Sequence, residues 1–204
     1  MNKIVIENKK AVGVECIDKD GNYFILKANK EVILSSGAFG SPQIMLRSGV
    51  GPRDEINKHG IEHLHELPGV GKNLQDHIDY LTVHRYDSIE LIGMSLKSIL
   101  FKFPIEILKY IFAKVGLFTS TVAEAGGFIK SKDGIQIPDI QLHFLPAMVV
   151  DHGRTQLWGH GLGCHMCLLR PKSRGEVTLK SSDPFDDPNI LSLIHISEPT
   201  RPLY

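Results

Sequence analysis

Clustered apolar positions in the first 35 residues predict a β-meander. A fourth apolar run, Glu31–Ser35, holds Val32, Ile33 and Leu34 in succession, which is typical of a strand buried on both faces. The three runs before it are rich in β-branched and aromatic residues and are separated by turn residues. Strands are therefore expected at Lys3–Glu7, Ala11–Cys16, Tyr23–Ala28 and Glu31–Ser35.

A glycine turn after these strands predicts a change to helices. Gly37 and Gly40 permit a tight backbone turn, and Ser41 followed by Pro42 is the pattern of an N-cap and a first helical residue. This helix is expected to end near Ser48-Gly49. A second helix is predicted over 52–59, with Gly60 as its stop, and a short strand over 61–65. Residues 67–77 form a glycine-rich loop with polar anchors.

Residues 89–115 are strongly apolar and are predicted to be helical. Ile99, Phe103, Ile107 and Ile111 are four residues apart and share one face. Pro104 should break the run into two helices. Lysines interrupt every window long enough to span a membrane. We expect this face to pack on the rest of the protein, with attachment to a membrane surface as the alternative.

The second half of the chain returns to strand patterns. Each candidate strand is bounded by Gly, Pro, Asp or Ser, and together they predict one antiparallel sheet. The expected strands are Gly127–Lys130, Asp139–Phe144, Gly163–Leu169 and Glu176–Lys180.

Composition narrows the classes of function. Lys and Arg together number 23, as do Asp and Glu, so no basic surplus indicates a nucleic-acid partner. Three cysteines give no disulfide framework, which favours a reducing compartment and a cytoplasmic location. The first residues lack the apolar run of a signal peptide and resemble a strand already under way, so we expect the true N-terminus to lie further upstream.

One cluster of histidines and cysteines and one isolated histidine are candidates for a chemical role. His160, Cys164, His165 and Cys167 are zinc-ligand types, but their spacing lacks a paired C-x-x-C, and adjacent strand residues point to opposite faces. We predict no metal there. His143 lies on an apolar strand, where a hydrogen-bonded core residue is the ordinary interpretation.

Five segments in order resemble the glucose–methanol–choline (GMC) flavin oxidoreductases, in particular their choline-dehydrogenase-like branch. They cover nearly the whole chain up to about Ser192. Their sequences are SGAFGSPQIMLRSGVGP (36–52), LPGVGKNLQDH (67–77), VAEAGGFI (122–129), PDIQLHFLPA (138–147) and RPKSRGEVTLKSSDP (170–184).

The resemblance implies an α/β (α+β) fold in two parts. Residues 1–77 would be part of an FAD/NAD(P)-binding domain, and residues 78–192 part of an antiparallel-sheet substrate domain. The family's C-terminal region would start near residue 170. FAD would be the cofactor, lined by Ser36, Gly37, Ala38, Ser41, Asn73 and Leu74. An alternative role for Asn73 and Asp76 is to tie the loop by bonds between side chains and backbone.

The resemblance also implies a reaction and shows what is missing. A primary alcohol, choline or another, would be oxidised to an aldehyde, with a quinone or oxygen as electron acceptor. In related alcohol oxidisers the strand that matches that of His143 faces the active site, so the resemblance implies a second role for His143, as a substrate-pocket residue that hydrogen-bonds the hydroxyl group. No G-x-G-x-x-G occurs in the 204 residues, and no segment resembles the family's catalytic histidine motif. We expect an inactive internal fragment; the alternative is a non-catalytic binding module. Residues 193–204 resemble a translated sequencing adapter, so we expect them to be non-native.

Overall fold

The computed structural model describes residues 2–155 and 157–191, so the predicted non-native tail lies outside the described residues. The strands are β1 (Lys3–Glu7), β2 (Lys10–Ile17), β3 (Tyr23–Lys27), β4 (Val50–Gly51), β5 (His65–Glu66), β6 (Ile78–Arg85), β7 (Ala125–Ile129), β8 (Ile140–Leu145), β9 (Gly161–Leu168), β10 (Glu176–Thr178) and β11 (Asn189–Leu191). The α-helices are α1 (Gly37–Arg47), α2 (Arg53–Lys58) and α3 (Phe103–Ala113). A π-helix covers Ser98–Lys102, and short 3₁₀ turns cover Leu117–Thr119 and Asp151–Gly153.

The chain forms two compact units, and the second is inserted in the sequence of the first. The first unit contains residues up to Asp76 together with those from Lys172 onward, and the second contains His77–Pro171. The sequence-based boundaries of the functional domains, at 77 and 192, remain a prediction.

The first unit contains the predicted meander. Strands β1, β2 and β3 pair in that order and antiparallel, and a turn at Asn8-Lys9 joins the first two. Two parallel residue pairs join β4 to β5, and β10 pairs antiparallel with β11. The predicted strand at 61–65 is therefore displaced to His65–Glu66. The strand predicted at 176–180 is observed as the shorter β10. It belongs to the first unit and not to the antiparallel sheet of the second unit, because β11 is its hydrogen-bonding neighbour.

The predicted strand at Glu31–Ser35 is wrong. Residues 31–36 have no regular structure, and Ile33 is 79% exposed. Among the described residues, no strand supplies hydrogen bonds to this segment. Three consecutive apolar residues favour a buried strand only where neighbouring strands flank them, and that condition is not met here.

The core of the first unit joins segments that are distant in sequence. Leu46 on α1, Ile56 on α2 and Leu179 after β10 are almost fully buried together, and Ile61 and Val70 pack against them. The backbone amide of Leu179 also donates to the Glu55 carboxylate at 2.8 Å. A short helix and a two-stranded sheet are thereby fixed to α1 by apolar burial.

The second unit is built on an antiparallel sheet in the order β6-β9-β8-β7. The predicted antiparallel sheet is confirmed, although β6 was not predicted. The predicted break at Pro104 is wrong: the π-helix runs directly into α3, and the proline lies in the first turn of α3. The expected packing of α3 is also wrong, since none of its eleven described residues is buried.

Candidate flavin site and the histidine face of the sheet

The glycine turn leads into α1 five residues earlier than predicted. Gly37 has a left-handed φ of +77° and is the first helical residue, with Ser36 at the N-cap. Ser41 therefore lies inside the helix and is not its N-cap. Its Oγ instead accepts a hydrogen bond from the Ser36 amide at 3.0 Å. Gly40 is required for a different reason, because a Cβ there would lie 2.9 Å from the Ser36 Cβ.

The N-terminus of α1 keeps its hydrogen-bond donors available. No side chain of the described residues caps the first turn, and Ser36, Gly37 and Ala38 are exposed. The first turn contains no acidic residue. Backbone N–H groups and the positive end of the helix dipole can therefore face an anionic or electron-rich ligand at Ala38.

The glycine-rich loop is held beside this helix end by the edge of β10. The Val177 amide donates to the Gly71 carbonyl at 2.7 Å, and Leu74 exchanges two backbone hydrogen bonds with Gly175. Gly71 has a φ of +76°, and a Cβ at that position would collide with the Val177 carbonyl oxygen. Lys72 pairs with Glu176. The loop is thus fixed by backbone contacts.

These two elements share one surface depression. It is lined by Ala38, Pro42, Gly71, Lys72, Asn73, Leu74, Gln75 and Val177. Three of the six predicted cofactor residues, Ala38, Asn73 and Leu74, meet there. Ser36, Gly37 and Ser41 belong to the same helix start but do not line the depression. Asn73 is held in a left-handed conformation, φ +62°, which presents it on the exposed side of the loop.

His143 belongs to the second unit and lies on β8, opposite His165 of β9. It is half-buried and lines a shallow depression with residues 123–128 and 141–142. Because strand side chains alternate, His143 and His165 share one face of the sheet with Gln141 and Cys167. We call these residues, with Asp79 of β6, the histidine face.

A contact between Asp79 and His165 on the histidine face was not predicted. The Asp79 Oδ2 lies 2.5 Å from the His165 Nδ1, and the Cys167 thiol donates to Asp79 Oδ1 at 3.5 Å. Burial, with the Asp79 carboxylate as a second cause, raises the pKa of the Cys167 thiol. Within the described ranges, no group of three or more His, Cys, Asp or Glu side chains is arranged to hold a metal.

Comparison with known proteins identifies the class. Residues 1–79 match the family model described as GMC oxidoreductase. Formate oxidase of Aspergillus oryzae, in a structure concerned with modification of its FAD, superposes with a TM-score of 0.83 at 28% identity, over 96% of this chain and 39% of that one. A fungal aryl-alcohol oxidase has the same fold, with a TM-score of 0.69 at 20% identity. The first 79 residues therefore match the GMC oxidoreductase family, and the fold of nearly the whole chain is similar to that of formate oxidase.

Two curated relatives are similar to nearly the whole chain. The chain is 43% identical to the alcohol dehydrogenase [acceptor] of Pseudomonas putida, over 97% of this chain and 36% of that protein. It is 41% identical to the oxygen-dependent choline dehydrogenase of Rhizobium rhizogenes, over 97% of this chain and 35% of that protein. The chain therefore spans about a third of the length of these relatives.

Proposed function

We propose that this chain is part of an FAD-dependent oxidoreductase that oxidises the CH–OH group of an alcohol. The observation that carries the proposal is the depression in which the uncapped start of α1 meets the loop at Asn73 and Leu74. Similarity to an alcohol dehydrogenase and to choline dehydrogenases supports the reaction class.

The residues of the depression fit a flavin dinucleotide. Free first-turn amides suit its negative charge, and the glycine turn leaves no side chain in the way of a close approach. Ser36, Gly37, Ala38, Ser41, Asn73 and Leu74 would hold it. When bound, FAD supplies the acceptor for a hydride from a carbon that bears a hydroxyl group.

The substrate is proposed to be a small alcohol, choline or another primary alcohol, which becomes an aldehyde. His143 would line the substrate pocket and hydrogen-bond the hydroxyl group, because its ring lies on the polar side of the sheet with no hydrogen bond to another described residue. A quinone or oxygen would accept the electrons, and the cytoplasm is the proposed location. Membrane attachment rests on a different part of the molecule, the segment around α3.

The 204-residue chain by itself should bind FAD weakly and should not turn over alcohols. It contains no G-x-G-x-x-G sequence, the element that receives the pyrophosphate of a dinucleotide at a helix N-terminus. Tight FAD binding by this chain, with flavin reduction by an alcohol, would contradict that expectation.

The flavin site can be tested in a chimera. Residues 2–191 would replace the matching segment of the Pseudomonas putida alcohol dehydrogenase, and bound FAD would be measured by absorbance after gel filtration. Ala38→Asp places a carboxylate at the helix start and should weaken FAD binding by about tenfold or more. Ser182→Asp adds the same charge at an exposed site of the same unit and should leave FAD binding unchanged.

Two results would separate the parts of this proposal. Equal FAD content in both variants would remove Ala38 from the flavin site. A chimera that holds FAD but oxidises no alcohol would favour the alternative, a binding module that retains the fold without the reaction.

A further inference from the structure

The helical segment Leu96–Phe118 makes polar contacts inward. Ser98 is fully buried and lies 3.2 Å from the His160 Nε2. The Lys102 ammonium donates to the carbonyls of residues 89, 90 and 91 at 2.6–2.9 Å, and the Glu106 carboxylate accepts from the Leu117 amide at 2.7 Å. Because Ser98, Lys102 and Glu106 are four apart, one face of the helix binds its own unit through polar groups.

An adjacent face of the helix is apolar and unpartnered among the described residues. Phe101, Ile105, Leu108 and Phe112 form a stripe at helical spacing, and their exposed fractions are 64%, 54%, 55% and 83%. This reverses the usual arrangement, in which a surface helix buries its apolar stripe. A contiguous exposed patch of large apolar side chains marks an interaction surface.

Net charge distinguishes this patch from a second exposed apolar segment, strand β3. Leu96–Phe118 contains four lysines and one glutamate, so its net charge is 4 − 1 = +3 in a chain whose total is zero. Lys97 and Lys114 lie just outside the two helix ends. Strand β3 also exposes apolar side chains, but residues 18–31 contain three lysines and three acidic residues, which cancel.

We propose that Leu96–Phe118 docks on the surface of an anionic lipid bilayer. Large apolar side chains with flanking lysines are the features of a helix that lies in the membrane interface, with its stripe at the acyl boundary and its ammonium groups at the headgroups. The sixteen residues from Ser98 to Ala113 give a helix about 24 Å long, which lies along a surface. Within the described residues no helix is both long and apolar enough to cross a membrane.

Vesicle sedimentation of the 204-residue chain tests the proposal. Binding should be much stronger to phosphatidylcholine mixed with phosphatidylserine than to phosphatidylcholine alone. Phe112→Asp should lower the partition coefficient by about tenfold or more. Phe185→Asp is the matched control, because Phe185 is 76% exposed in the first unit, and it should have no effect. Lys97→Gln and Lys114→Gln should each cost about fivefold, on anionic vesicles alone.

Hydrogen–deuterium exchange of the unmodified chain tests the same proposal without any substitution. Anionic vesicles should add protection at Leu96–Phe118 and none at Tyr23–Lys27. Equal binding to both kinds of vesicle, loss of binding in Phe185→Asp, or protection centred on β3 would overturn the proposal. So would self-association in vesicle-free sedimentation velocity that Phe112→Asp abolishes, because that result would assign the stripe to a second copy of the chain.

Discussion

Two helices of eleven residues, one in each unit, have opposite relations to solvent. Helix α1 buries Ile44, Leu46 and Arg47, whereas α3 buries none of its residues although it is richer in large apolar side chains. Helix α1 has apolar partners on α2 and after β10, whereas α3 is held by hydrogen bonds that Lys102 donates and Glu106 accepts. The comparison shows that the partners a fold supplies, and not the composition of a helix, decide what is buried.

The largest expected difference between the helices comes from removing one apolar side chain from each. Leu46→Ala should lower the free energy of unfolding by about 2–5 kcal/mol, because it leaves a cavity in the core of the first unit. Phe112→Ala should change it by less than about 0.5 kcal/mol, because that side chain is already in solvent. Urea unfolding measures both, and equal losses would contradict the comparison.

A second pair of variants tests how strongly the contact with β10 fixes the glycine-rich loop of the first unit. Gly71→Ala should cost about 2 kcal/mol, because the residue has a positive φ and its new Cβ would meet the Val177 carbonyl. Gly69→Ala, two residues away, has open space around its Cβ and should change stability by less than about 1 kcal/mol. If both variants unfold alike, the contact with β10 does not fix the loop.

A third change tests the polar attachment of the α3 segment. Lys102→Met leaves the carbonyls of residues 89–91 without their donor and should destabilise the second unit by about 1–3 kcal/mol. Burial lowers the pKa of this ammonium, in keeping with its enclosed position. Lys97→Met is the control, since Lys97 is exposed. Fluorescence of Trp158, which lies in the second unit, reports the unfolding; an unchanged midpoint in Lys102→Met would be evidence against polar attachment.

The smallest expected effect concerns acid pH at the end of α3. The hydrogen bond from Lys109, and then the one from the Leu117 amide, hold the pKa of Glu106 below its usual range. A lowered folded-state pKa stabilises the fold above the ordinary carboxyl range, and this contribution disappears as pH falls through the lowered value.

Amide exchange at Leu117, followed by NMR and corrected for its intrinsic pH dependence, reports this contact. Protection should hold at neutral pH and disappear below about pH 4. In Glu106→Gln it should be weaker at neutral pH and should lack the acid transition. An acid transition that persists in the variant would assign it to another group.

Local pattern was enough to predict most of the secondary structure. Strands β1, β2 and β3 lie within about two residues of their predicted bounds, because alternation and turn residues specify them locally. The start of α1 was missed because Ser41-Pro42 has the pattern of a helix start, whereas the chain already enters the helix at Gly37 in a left-handed conformation. Glu31–Ser35 was missed because pairing depends on a neighbour that its own residues do not encode.

The candidate site was likewise predicted only in part, because some of its contacts join residues that are distant in sequence. Ala38, Asn73 and Leu74 were selected through a family resemblance, and in the structure they line one depression. The contribution of Val177 was not predicted, because no local pattern indicates contact between residues more than 100 positions apart. The Asp79–His165 contact was missed along with β6, because a side-chain contact across two strands follows from their register.

The long sequence separation between Gly71 and Val177 has a consequence for synthesis on the ribosome. Residue 177 follows residue 71 by 106 positions, and at 5–20 residues per second its translation lags by roughly 5–20 s. During that interval the glycine-rich loop lacks its backbone partner, and Leu46 and Ile56 lack Leu179, the third member of their cluster. The first unit is therefore begun first and completed last, and a nascent chain that stops before about residue 180 would present an open core to chaperones.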